Sequence, residues 1–87
     1  MLNIFTSLLI NQLKQRIAFI NQRLINEEIR IYESGTKYCV IIFVNKQTQA
    51  VLGTLALNAT SRRDLCVTKA FLSLIENTRA PKTIMAA

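Results

Sequence analysis

No histidine occurs anywhere in this chain. That removes the usual general base at neutral pH and the commonest imidazole metal ligand. Acids are scarce: Asp64 is the single aspartate, and Glu27 and Glu28 are adjacent, so on a helix they diverge by about 100° and cannot work as a paired acid and base. Only Gly35 and Gly53 are present, too few for a glycine-rich phosphate loop. Ser7, Ser34, Ser61 and Ser73 have no base to activate them. The two cysteines, Cys39 and Cys66, form no CxxC pair, and without histidine they cannot complete a zinc site. We therefore expect no enzyme, no metal, no cofactor and no small-molecule substrate, and two reduced thiols in a cytoplasmic protein.

A long apolar run is also missing. Ile4 to Ile10 is apolar, but far too short to cross a bilayer, so no membrane span is expected. No basic residue precedes this run and no small-residue cleavage site follows it. Residues 1–26 carry Lys14, Arg16 and Arg23 and no acid, as mitochondrial transit peptides do, but their periodicity assigns them to the fold.

Eleven basic against five acidic residues leave a net charge of +6, which directs attention to an acidic partner: nucleic acid, an anionic membrane surface or an acidic protein face. Hydrophobic residues make up 51%, which argues against disorder. A chain of 87 residues makes one domain, here 1–81 with a flexible tail at 82–87. At that size folding buries only about 60–65% of the unfolded surface, so association would help the core.

Ile10, Leu13, Ile17, Ile20 and Leu24 recur at three- and four-residue spacing and predict a helix over 3–26, with Phe5, Leu9, Phe19 and Ile25 widening its apolar stripe. Ile29 to Glu33 alternates and reads as a short strand. Ser34-Gly35-Thr36 is a tight turn in which glycine accepts a positive φ. Tyr38 to Val44 is seven apolar or aromatic residues, a strand that wants cover on both faces. Val51 to Leu57 is a third strand, with Gly53 marking a bulge. Ser61-Arg62-Arg63-Asp64 fits a capping box and opens a helix over 62–78, which Pro81 closes off. The fold class is α+β in the order α-β-β-β-α: a three-stranded antiparallel sheet, with short connections, and two helices on one face.

Residues 29–76 resemble a double-stranded RNA-binding domain. That family has this order of elements and a Ser-basic-basic tripeptide opening its second helix, here Ser61-Arg62-Arg63. The resemblance implies phosphate contacts from the helix N-terminus and its basic residues. Independently of it, a helix N-terminus beside arginines attracts anions. Several positions depart from the family pattern. Leu57-Asn58-Ala59 stands where glycines are usual, Cys66 where a third basic residue is usual, and Ser34-Gly35-Thr36-Lys37 where the first strand loop usually carries a histidine; the first helix is also longer. Members that have lost RNA binding often serve as protein-interaction or dimerisation modules.

Two functions compete. The first is a small basic protein-interaction module, homodimeric through the sheet and meeting an acidic partner protein. Its interface is assigned to Cys39, Ile41 and Phe43, with helices over the Tyr38, Val40, Ile42 and Val44 side. The alternative is nucleic-acid binding, specifically double-stranded RNA, through Arg62, Arg63 and Lys69, with Lys14 and Arg16 as a second contact. Both sets of contacts need one test: whether these five cations share an exposed face. A single-strand platform is disfavoured, because Tyr32, Tyr38 and Phe43 are not interleaved regularly with basic residues.

Overall fold

The computed structural model describes residues 4–80, with side chains from Thr6 onward. Helix α1 spans Ile4–Arg23, strands β1, β2 and β3 span Glu27–Ser34, Tyr38–Asn45 and Val51–Asn58, and helix α2 spans Arg62–Arg79. The strands form one antiparallel sheet in the order β1-β2-β3, and both helices lie on one face of it, α1 against β1 and α2 against β3. The architecture is the one the periodicity predicts. The expected tail at 82–87 and the side chain of Phe5 lie outside the described residues.

The core is built from three sources. Ile10, Leu13, Ile17, Ile20 and Leu24 form the buried stripe of α1, and Leu72 and Ile75 that of α2. The sheet contributes Ile29, Cys39, Ile41, Phe43 and Leu57. The β1–β2 register explains the grouping: Ile29 pairs with Phe43 and Ile31 with Ile41, so these side chains share one face. Phe71 of α2 lays its ring on the bare backbone of Gly53, within 3.4 Å of where a Cβ would sit. The pairing slips beside this glycine, from Phe43–Gly53 to Val44–Val51, which leaves Leu52 as the extra residue of a bulge.

Two element boundaries differ from expectation for one physical reason. Helix α1 stops at Arg23, short of 26, where the side chain of Asn21 in its last turn holds the returning chain: it both donates to the Ile29 carbonyl and accepts from the Ile29 N–H, at 2.9 and 2.7 Å. That clamp draws the chain into β1, which begins at Glu27 and not at 29. Phe19 and Ile25, assigned to the apolar stripe, are instead 55% and 70% exposed. Gly35 has φ +72°, as its turn requires, and Ser61 caps α2 by accepting the Asp64 N–H.

Candidate interaction surfaces

The helices cover the Cys39 side of β2. Cys39, Ile41 and Phe43 are buried in the chain's own core, at 1%, 0% and 5% exposure, so they are not a free dimer interface. The assignment is corrected to the opposite face. There β2 presents Tyr38, Val40, Ile42 and Val44, β1 adds Glu28, Arg30 and Tyr32, and β3 adds Val51, Thr54 and Ala56, as cross-strand partners. Tyr32 and Tyr38 are about half exposed and Val51 more so.

An antiparallel sheet with one solvated face normally alternates apolar-in with polar-out. β1 does so in part, and β2 does not. The charge on this face is self-contained: Arg30 donates to Glu28 at 2.7 Å, a contact that raises the guanidinium pKa further, and reaches across to Gln49 at 3.1 Å. At that end Val44 is buried. The centre is left to Val40 and Ile42, partly covered, and to Thr54 and Ala56, exposed, with both tyrosines toward the Tyr38 end.

The cations divide into two groups. Five carry an acidic partner: Lys14 bonds Glu33 at 2.7 Å, Arg16 and Arg23 share Glu76 at 2.9 and 2.6 Å, Arg30 holds Glu28, and Arg79 bonds Glu27 at 3.1 Å. Among the described residues Lys37, Lys46, Arg62, Arg63 and Lys69 have none. The five expected contact residues therefore do not form one face. Lys14 is held on the β1 flank of α1, whereas Arg16 points to α2 and lines a groove with Lys69. Arg62 and Arg63 sit exposed at the start of α2.

Lys37 joins that end without a motif to announce it. Its carbonyl accepts the Ala59 N–H at 2.6 Å, which fastens the β1–β2 turn to the approach of α2, and its ammonium lies 5.3 Å from the centre of the Tyr38 ring. The helix N-terminus itself is not an open anion site. Ser61 takes the Asp64 N–H, and the Asp64 carboxylate supplies negative charge within the first turn.

Neither thiol has a chemical partner. Burial pushes the Cys39 thiol up, and Cys66 is exposed on α2. No cluster of three or more metal-ligating acids and thiols exists among the described residues, and no described helix is long and apolar enough to cross a membrane. Comparison with protein-family models, curated proteins and solved structures gives no match for this chain.

Proposed function

We propose that this chain is a protein-interaction module of double-stranded RNA-binding-like architecture that self-associates through the helix-free face of its sheet. One observation carries the proposal: a helix-free, mostly apolar sheet face, with Lys37 only at its Tyr38 edge, on a protein whose net charge is +6. Two copies of so basic a chain repel least where they meet with little free charge between them. The Glu28–Arg30 pair neutralises itself, while Arg62, Arg63 and Lys69 belong to the helix layer on the other side.

Size sets the expected strength. Three strands ~4.8 Å apart and seven residues at ~3.3 Å each give a face of roughly 14 by 23 Å, or ~300 Å² in plan. Stable complexes bury about 800 Å² per partner, so a dimer through this face alone is a weak, transient one. Sedimentation velocity from ~1 to ~200 µM tests it. A sedimentation coefficient that climbs across that range supports the dimer, and one that stays monomeric at every concentration overturns it.

Nucleic-acid binding is the second reading, favoured by the cations without acidic partners, Arg62, Arg63 and Lys69, with Lys37 beside them. It places backbone phosphates along the first turns of α2. A gel shift with duplex RNA that disappears with Arg62→Ala and Arg63→Ala together, and weakens as salt rises, would establish it. No shift at low salt would remove it.

A further inference from the structure

The two helices run in the same direction over the sheet and leave an open groove between them, with a cavity of about 170 Å³. Leu9, Leu13, Leu65 and Leu72 form its floor, and Gln12, Arg16 and Lys69 complete the lining. Leu13 and Leu72 are core residues seen from outside, at 5% and 0% exposure. An apolar cavity of ~150 Å³ is enough to admit a benzene-sized group, so one or two aliphatic side chains fit here.

The edge of this groove is positive. Two cations line it, Lys69 and Arg16, and Arg16 has only a share of one carboxylate, Glu76, which also serves Arg23 outside the groove. Lys69 has no acidic partner among the described residues. Phosphates gain nothing from four leucines, and an apolar segment alone leaves the cations unanswered. A segment that suits both is apolar on one side and acidic along its margins.

We propose that the α1–α2 groove docks an acidic amphipathic helix of a partner protein. The length fits. From Leu9 to Arg16 is seven residues of α1, ~10 Å, which accepts two anchors one turn apart on an incoming helix. Leucine-sized anchors pack on the floor, ridges into the groove between α1 and α2. Carboxylates three or four positions from those anchors reach the Lys69 ammonium and the Arg16 guanidinium, which shares Glu76 with Arg23 and so has capacity to spare. This surface is on the opposite side from the helix-free sheet face, so it stands whether or not that face dimerises.

The test begins with a displayed library of helical peptides, randomised on one face, selected against the full chain. Enriched peptides are expected to carry Leu, Ile or Phe at three- or four-residue spacing with Asp or Glu beside them. A labelled peptide of that set should bind Lys69→Glu about fivefold to twentyfold more weakly in fluorescence anisotropy, and exchanging its acids for lysine should restore the loss. Leu65→Lys supplies a second groove variant, and circular dichroism checks that both variants stay folded. Ile42→Glu, on the sheet, should leave peptide affinity unchanged. The proposal is overturned if selection returns neutral or basic peptides, or none. It is equally overturned if the selected peptides bind Lys69→Glu and Leu65→Lys as well as the parent, or if decanoate binds the groove while no peptide does.

Discussion

The Asp64 carboxylate accepts the Asn58 N–H at 2.8 Å, reaching three residues beyond the cap that it was expected to close. A simple capping box would send that carboxylate to the Ser61 N–H. Here the Ser61 N–H donates to the Asn58 carbonyl instead, and the Asn58 side chain accepts from both the N–H and the hydroxyl of Thr60. The acid thus ties the first turn of α2 to the last residue of β3. Ser61→Ala should cost about 1 kcal/mol through loss of the cap alone. Asp64→Ala should cost about 1–2 kcal/mol, because a charged acceptor is lost from a half-buried N–H. Thermal or urea unfolding of both variants measures this. Equal losses would show that Asp64 adds nothing beyond the helix end.

The Glu76 side chain, 14% exposed, serves Arg16 and Arg23 together and so joins α1 to α2. Glu76→Gln removes one charge from between two guanidinia. The arginines are 46% and 36% exposed, and water screens much of each pair, so the expected loss of stability is only about 1 kcal/mol. The same substitution frees Arg16 beside the groove. An acidic helical peptide should then bind more tightly to Glu76→Gln than to the parent, by about twofold to fivefold. Unchanged or weaker binding would show that Arg16 takes no part in recognition.

Thiol labelling distinguishes the two cysteines. Cys66 is exposed, while Cys39 is 1% exposed and burial raises its pKa, so less of its reactive thiolate forms. One equivalent of Ellman's reagent should react promptly with the native protein at mildly alkaline pH. The second should react only as the chain unfolds, at a rate that rises with denaturant. Two prompt equivalents would mean that the sheet face under the helices opens readily.

Much of the fold was legible because its local signals agree. The three- and four-residue spacing of Ile10, Leu13, Ile17, Ile20 and Leu24, the turn at Gly35 and the serine before Arg62 each named an element that the structure contains. The end of α1 was harder to read. No glycine or proline marks it, and the feature that ends it is a tertiary clamp from Asn21 to Ile29. The covered face of β2 was misassigned because that strand is apolar on both sides. Its neighbour held the answer: Ile29 and Ile31 alternate with Glu28, Arg30 and Tyr32, and the short turn sets Ile29 opposite Phe43. Carrying that register across would have put Cys39, Ile41 and Phe43 under the helices. Lys37 was not legible at all, since its place beside α2 depends on a backbone bond to Ala59.

Adjacent residues of β2 separate folding from association. Ile41 is fully buried under the helices, and Ile42 is only partly covered on the other face. Ile41→Glu puts a carboxylate into an apolar core with no partner, a change that costs about 3–5 kcal/mol or more and threatens a domain of this size. Circular dichroism and a urea titration should show it largely unfolded. Ile42→Glu puts the same charge where water reaches it in the monomer. It should keep its secondary structure and lose little stability when measured dilute, about 1 kcal/mol, from reduced strand propensity and contact with Val40 and Val44. In a sheet-to-sheet dimer, however, the two symmetry-related glutamates approach each other in a dry centre, and association should weaken by at least about tenfold. Sedimentation at ~100 µM should therefore find Ile42→Glu monomeric where the parent is partly dimeric. If Ile42→Glu dimerises as the parent does, the copies meet elsewhere and the helix-free face is not the interface.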